Sequence, residues 1–324
     1  MLDLFFHFLL ILDGSLRLAT PLILCAMAGL ISERSGVIDI SLEGKLLTGA
    51  FAAAAATALT GSAWLGLLTA LATTMALGLL HGFACITHKG NQIISGVAIN
   101  ILASGLTVTL GIALFRQGGQ SPPLGSDERF RPITWPFAEA VRDVPIVGQL
   151  YAELISGHNL IVYVAVLAVP AVAWLLYRTR FGLRLRAVGE VPEAVDSSGI
   201  SVAWLRYRAL ILAGLLCGLA GAYLSTAHGA GFVREMSAGK GYIALAAMIF
   251  GKWRPWPTLF ACLLFGFLET VAGRLQGTEL PLVGQIPVEF VLVLPYVLTV
   301  VLLAGFFGRA IPPRAIGVPY SKEH

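Results

Sequence analysis

The stretch from Arg178 to Arg208 reads RTRFGLRLRAVGEVPEAVDSSGISVAWLRYR. It carries six arginines and lies between two long apolar runs, residues 160–177 and 209–227. Charges at this density cannot lie in hydrocarbon, so the stretch is predicted to be a loop between two membrane spans. Because short loops rich in Lys and Arg stay on the inner side of a membrane, we place residues 178–208 in the cytoplasm.

A short helix is predicted inside this loop, from about Pro192 to Ser198. Pro192 and Glu193 suit the first turn of a helix, where a proline lacks no needed donor and an acid faces the positive end of the dipole. Gly199 suits a left-handed stop, and Gly189 allows a tight turn before the helix. A helix that two spans present to the cytosol is a surface on which a cytosolic partner can dock. An ordinary positive-inside loop without a docking role remains the alternative.

The composition fixes the class of protein. Hydrophobic residues make up 57% of the 324 residues and charged residues only 12%, whereas a soluble domain carries about 25% charged residues. We therefore predict a single transmembrane domain, residues 1–324, built as an all-α polytopic helical bundle of about eight to ten membrane segments. The formal charge of +4 lies mostly in loops, so it reports membrane topology and not nucleic-acid binding.

Segments away from the arginine-rich loop complete the predicted topology. Residues 116–159 form the longest polar segment, and their nearly balanced charges place them on the external side. Residues 242–250 are too few to span and suggest a half-helix or a re-entrant segment, while residues 286–307 are predicted as the last span. Two glycine-containing motifs, residues 36–49 and 229–251, suggest two repeats with broken helices, an arrangement that transporters use near the membrane midplane.

Polar side chains inside apolar segments are the candidates for a solute path, because such groups are costly in lipid and usually face a cavity or a partner. Five such groups are Asp39, Glu43, Asn91, Gln92 and Asn100. Uncharged amides suit a neutral polyhydroxylated solute. Two alternatives stay open: the amides tie helices together by hydrogen bonds, and Glu43 pairs with Arg34 or Lys45 at the membrane interface.

Catalytic motifs are absent from the sequence. It contains no G-x-x-x-x-G-K-[ST], no H-E-x-x-H and no G-x-S-x-G. The four cysteines all lie in apolar runs without metal-ligand spacing, so they are predicted to be packing residues. We expect no enzyme activity, no metal and no cofactor, and any ATP hydrolysis must belong to another polypeptide.

Four stretches resemble the permease subunits of ABC importers for branched-chain amino acids, simple sugars and nucleosides. Residues 182–200 resemble that family's coupling loop, with Val191 and Val195 where it usually has Asn and Ala. Residues 33–44 resemble its E-R-x-G-V motif and residues 91–107 its N-Q-x-I-S-G segment. Asp39 stands in the first of these where the family usually shows Asn. GYIALAAMIFGKWRP, residues 241–255, is the most specific match and is similar to the nucleoside branch, which is associated with a lipoprotein.

The resemblance implies a permease subunit in the bacterial cytoplasmic (inner) membrane that translocates a nucleoside, purine-like or simple-sugar solute. It implies three partners besides the lipid bilayer: a cytosolic ABC ATPase subunit, a second permease, homologous or identical, and an extracytoplasmic solute-binding protein. The residues that it assigns to ATPase coupling are Arg186, Gly189, Glu190, Pro192, Glu193, Ala194 and Gly199.

An ion-coupled secondary transporter of a small polar solute is the alternative function. It would need intramembrane carboxylates, and Asp39, Glu43 and Glu269 are the candidates. We expect no basic residue to be buried with them, which favours the ABC importer.

Overall fold

The computed structural model describes residues 2–136, 147–275 and 311–322, with positions 144, 279–280, 284–285, 293 and 297. Its helices are α1 (Leu2–Arg34), α2 (Leu42–Thr60), α3 (Ala63–Gly82), α4 (Gln92–Phe115), α5 (Val147–Leu150), α6 (Leu160–Arg178), α7 (Arg180–Glu190), α8 (Pro192–Ser197), α9 (Val202–Tyr223), α10 (Lys240–Phe250) and α11 (Pro255–Leu275). The other elements are π-helical turns at Phe83–Thr87, Tyr151–Ile155 and Leu224–His228, a 3-10 turn at Ser126–Glu128, and the antiparallel strand pairs β1 (Pro132–Ile133) with β2 (His158–Asn159) and β3 (Glu279–Leu280) with β4 (Gly284–Gln285). The predicted all-α class is confirmed.

Six helical segments among the described residues are long and apolar enough to cross a membrane. They are His7–Arg34, Ala63–Thr87, Gln92–Phe115, Leu160–Arg178, Val202–His228 and Pro255–Leu275. The short apolar helix α10 has only 11 residues, as predicted for a half-helix. The predicted last span, residues 286–307, lies outside the described residues, so the count of eight to ten segments stays a prediction.

Two helices extend beyond the apolar runs of the sequence. Helix α1 runs unbroken from Leu2 to Arg34 with Pro21 inside it. Helix α9 begins at Val202 and not at Ala209, with the Ser201 hydroxyl accepting a hydrogen bond from the Trp204 N–H. Two of the arginines assigned to the loop, at 206 and 208, therefore belong to a membrane helix.

The middle of α1 forms the centre of the bundle. Its residues 22–28 are fully buried or nearly so, as expected for a helix that is apolar on all sides. Small residues on α2 and α9, among them Ala53 and Ala213, are also completely buried. Membrane helices associate through such small side chains because they allow close packing of backbones.

The bundle has two ends, and the two polar segments lie at different ones. The 19-residue α6 leads from β2 to α7, about 28 Å at 1.5 Å per residue. We call the end with α7 and α8 the arginine-rich end. There the Arg34 guanidinium donates to the Trp253 carbonyl at 2.7 Å. At the opposite end the Leu124 N–H donates to the Ala230 carbonyl at 2.9 Å. Residues 116–136 and 180–198 are thus separated by the length of the bundle, although which end faces the cytosol stays a prediction.

Candidate functional site

The site is built around the linker between α1 and α2, residues 35–41, which has no regular structure yet lies inside the bundle. Peptide groups buried in this way need hydrogen-bond partners. The Ile38 N–H donates to Gln92 Oε1 at 2.7 Å, and the Ile38 carbonyl accepts from His81 Nε2 at 2.9 Å. Since a carbonyl only accepts, His81 Nε2 carries a proton, and Nδ1 shares a hydrogen bond of 3.0 Å with the Ser95 hydroxyl. Side chains from α3 and α4 therefore hold the linker by its backbone.

Asn100 joins three elements through one amide. Its Oδ1 accepts from the Gly44 N–H at 2.8 Å, one of the free donors in the first turn of α2. Its Nδ2 donates to the Ile40 carbonyl at 3.0 Å and to the Tyr242 hydroxyl at 2.9 Å. The linker, the start of α2 and the half-helix α10 thus meet at this side chain.

Asp39 and Lys45 form a completely buried ion pair. Lys45 Nζ lies 2.5 Å from Asp39 Oδ2, both side chains are fully enclosed, and the Ser41 hydroxyl donates to Asp39 Oδ1 at 2.5 Å. The expectation that no basic residue is buried with the carboxylates is therefore wrong. The pair neutralises the charge that Asp39 would otherwise bring into the bundle.

Glu43 binds the amino end of α10. Its Oε1 accepts from the Gly239 N–H at 2.8 Å and its Oε2 from the Gly241 N–H at 2.6 Å. A carboxylate is favourable there, because free N–H groups and the helix dipole make a helix N-terminus positive. The alternative that Glu43 pairs with Arg34 or Lys45 is wrong. The contact instead brings the two glycine-containing motifs, residues 36–49 and 229–251, directly together.

A partly exposed polar patch surrounds this contact. Glu43 and Asn100 reach the surface, Ser104 donates a hydrogen bond to Glu235, and Tyr242 is 48% exposed. We call these five residues the polar patch. A group of this polarity is costly against acyl chains, so the patch suits water or a protein partner.

The predicted solute-path residues do not all lie on this patch. Asp39 and Gln92 are buried and hold the linker. Asn91 lies apart as the N-cap of α4, where its side chain accepts from the Ile93 and Ile94 N–H groups at 2.9 and 3.1 Å. Gln92 and Asn100 thus make the hydrogen bonds between elements that the alternative describes, whereas Asn91 bonds only its own helix. Contact with a solute stays a prediction for all of the candidates, and the polar patch gives it a surface only at Glu43 and Asn100.

The predicted docking helix is present as α8. Pro192 is its first residue and Glu193 lies in its first turn. Gly199 follows with φ +76°. Its N–H donates to the Asp196 carbonyl at 2.8 Å, while the Ile200 N–H donates to the Val195 carbonyl at 3.3 Å. This double hydrogen bond is the Schellman ending that a glycine in the left-handed region makes possible.

Gly189 has a different role from the predicted tight turn. It lies within α7, a second helix in the loop that the sequence reasoning missed. A Cβ atom at Gly189 would lie 2.3 Å from the Arg34 carbonyl oxygen. Glycine is therefore needed for the close approach of α7 to the end of α1. The signal for α7 was the apolar spacing of Phe181, Leu185 and Val188, which is that of an amphipathic helix.

The remaining coupling-loop residues divide into two groups. Arg186 Nε donates to the Leu176 carbonyl at 3.0 Å, and Glu190 accepts from the Arg314 N–H at 3.4 Å, so both anchor the loop to its own chain. Glu193 and Ala194 are exposed on the outer face of α8. Contact of that face with a partner stays a prediction.

A bundle of apolar helices with a broken-helix junction and a folded loop at one end defines a membrane transport subunit. The chain belongs to the family described as the permease component of branched-chain amino acid transport systems, which matches residues 11–311. It is 38% identical over 322 residues to the guanosine ABC transporter permease protein NupQ of Bacillus subtilis, covering 97% of each chain. It is 35% identical over 321 residues to the nucleoside ABC transporter permease protein NupC of Lactococcus lactis, again covering 97% of each. It is also 38% identical over 283 residues to the putative glucose ABC transporter permease protein TsgC13 of Haloferax volcanii, covering 87% of this chain and 82% of that one.

Family membership confirms the predicted class. The chain is a multi-pass membrane permease subunit of an ABC transporter and is not itself the enzyme that hydrolyses ATP. A permease of this class works with an ATPase, a solute-binding protein and the lipid bilayer. The ion-coupled alternative is not supported, because the family and the named relatives are components of ABC transporters.

Proposed function

We propose that this chain is the membrane path of a bacterial importer for a nucleoside or a related purine-like solute, located in the cytoplasmic membrane. The observation that carries the proposal is its similarity, over nearly the whole of both chains, to permeases named for guanosine and nucleosides. The relative named for glucose makes a simple sugar the second candidate.

The polar patch supports this class of solute. Ser104 and Tyr242 supply hydroxyl groups that match the donors and acceptors of a sugar. The partly exposed Tyr242 ring adds an aromatic face on which a base can stack. Since the patch lies on the side of one chain, a second permease, identical or homologous, would close the path from the other side.

The ATPase is proposed to dock on the outer face of α8, with the arginine-rich end in the cytosol. The helix is short, begins at Pro192 and ends in the Schellman turn at Gly199. It is fixed to the bundle through Val195, which packs with Val188, Val202 and Leu205. A rigid projection of this kind can pass force from a soluble subunit to the membrane helices.

The test is uptake by the reconstituted complex of the permease with its ATPase and solute-binding protein in proteoliposomes. ATP-dependent uptake of labelled guanosine, displaced by other nucleosides and not by glucose, is expected. Displacement by glucose alone would favour the sugar. Uptake that follows an ion gradient without ATP would contradict the proposal.

The variant Ala194→Arg tests the docking face, because it places a bulky charge on the exposed side of α8. We expect loss of uptake and of ATPase co-purification, while the isolated solute-binding protein still captures its ligand. Ser126→Arg adds the same side chain at an exposed position of the opposite end and is the matched control. Normal uptake by Ala194→Arg would remove α8 from the docking surface.

A further inference from the structure

Residues 311–322, which we call the strap, lie between the coupling helices and the linker. The Ala315 N–H donates to the Gly189 carbonyl, at the end of α7, at 2.9 Å. Two residues further on, the Gly317 N–H donates to the Gly36 carbonyl, at the start of the linker, at 3.0 Å. The backbone of the strap thus hydrogen-bonds the end of α7, next to α8, on one side and the start of the linker on the other.

Arg206, within α9, binds two of these parts of the chain, the linker and the strap. It is only 1% exposed. Its Nε donates to the Ser35 carbonyl and its Nη1 to the Val318 carbonyl, each at 3.2 Å. A buried guanidinium requires such acceptors, since an unpaired charge in an enclosed site is very costly. The strap therefore supplies one of the groups that make a buried Arg206 tolerable.

The fit of the strap leaves little room for displacement. Gly36 and Gly317 have φ angles of +86° and +77°. A Cβ atom at Gly36 would lie 3.0 Å from the Ala315 carbonyl oxygen, and one at Gly317 would lie 2.9 Å from Ile38 Cδ1. Tyr320 packs against the valine and leucine cluster that anchors α8, and Ile316 packs against the main core. The strap is therefore packed against the bundle at its middle, through Ile316, and at Tyr320.

We propose that the strap is a positioning element that passes movement of α8 to the linker, with Arg206 as its buried anchor. This inference rests on the proposed function, because it assumes that the ATPase docks on α8. The contacts run from α8 through Gly189 and the strap to Gly36, and from there along the linker to Asn100 and the polar patch. The strap would thus make the ATPase and the solute path respond to each other, without itself contacting ATP or solute.

The test uses the full complex in proteoliposomes and measures ATP hydrolysis and solute uptake on the same preparation. Ala315→Pro removes the N–H that reaches Gly189, and Gly317→Val removes the left-handed backbone that reaches Gly36. Both variants should keep the ATPase bound and hydrolysing. The uptake per ATP hydrolysed should fall by at least about fivefold, the low end of usual coupling strengths between two sites. Val318→Thr changes an exposed side chain of the strap, keeps its carbonyl, and is the matched control.

Two results would overturn the inference. Unchanged uptake per ATP in both variants would show that the strap carries no coupling. Parallel loss of ATPase binding and uptake would make it part of the docking surface or of the fold. Failure of the unaltered complex to bind an ATPase would instead refute the proposed function, so the two failures are distinguishable.

Discussion

At the scale of single residues, the two carboxylates near the junction of α1 and α2, Asp39 and Glu43, have different environments. Asp39 is enclosed and paired with a cation, whereas Glu43 is partly exposed and bound to backbone N–H groups. The first arrangement stabilises a junction, and the second leaves a charged group next to a surface that a solute could reach. Their variants should therefore affect different properties of the permease.

Glu43→Gln and Asn100→Leu are expected to lower uptake. The first removes the charge that faces the α10 N-terminus, which is worth about 0.3–2 kcal/mol. The second removes every hydrogen bond of the Asn100 amide. Membrane insertion and ATPase co-purification should remain, because neither side chain lies near α8. Thr109→Val is the control on α4, since Thr109 hydrogen-bonds only its own helix. Normal uptake by both variants would leave Glu43 and Asn100 as packing residues.

Lys45→Met should destabilise the permease strongly, because it leaves Asp39 buried without its cation. Breaking such a pair costs about 3–5 kcal/mol, whereas removing both charges is often nearly neutral. The thermal midpoint in detergent should therefore fall for Lys45→Met and recover in the double variant with Asp39→Asn. An equal loss in the single and double variants would argue against a coupled pair. Lys240→Met is a useful comparison, because its partner Glu269 is 38% exposed and should tolerate the loss.

At the scale of elements, the arginine-rich loop is two helices with different tasks. Helix α7 lies against the end of α1 and holds the loop to the bundle. Helix α8 carries the exposed face. This division explains why some of the loop residues point into their own chain and others do not.

Gly189→Ala tests the close packing of α7 against the end of α1. The added methyl group would meet the Arg34 carbonyl, so α7 must move, and overpacking of this kind costs about 1–3 kcal/mol. We expect a lower thermal midpoint and reduced ATP-driven uptake. Gly105→Ala is the matched control, because Gly105 also lies in a helix but has open space around it. That change should be neutral or slightly stabilising, since alanine favours helices. A midpoint for Gly189→Ala equal to that of Gly105→Ala would contradict the close approach.

Helices that local residue patterns define can be predicted from the sequence. Contacts in which a side chain binds the backbone of a residue far along the chain cannot. The span of α6, the short α10 and the Pro192-to-Gly199 helix all follow from apolar runs and end signals. The bond from Glu43 to Gly239 crosses 196 residues, and a backbone N–H has no side-chain signature. The sequence predicts Arg206 in a solvated loop, whereas it is buried in α9. The backbone carbonyls that accept its hydrogen bonds cannot be recognised in a sequence.

At the scale of the whole molecule, the loop after α4 and the loop after α6 lie at opposite ends of the bundle. Arginine bias assigns the cytosol to the end with α8. Native thiols do not complicate a labelling test of this assignment, because all four cysteines are buried in the described structure.

Single cysteines at Ser198 and Ser126 should label from opposite sides of sealed vesicles. Both serines are exposed, one after α8 and one in the loop after α4. An impermeant maleimide added outside right-side-out vesicles should modify the cysteine at 126, and the cysteine at 198 only after the vesicles are opened. Labelling of both positions from one side would overturn the proposed topology.

Three side chains outside the linker, on α3 and α4, hold it through its peptide groups, and this has a consequence for sequence drift. Gln92, His81 and Asn100 all bind amide or carbonyl groups of Ile38 and Ile40. Such recognition is indifferent to what side chain stands at position 40. A different side chain there leaves these hydrogen bonds possible, whereas a change in Gln92, His81 or Asn100 removes them. Variation at position 40 among homologues would therefore say little about whether their linkers are held by the same hydrogen bonds.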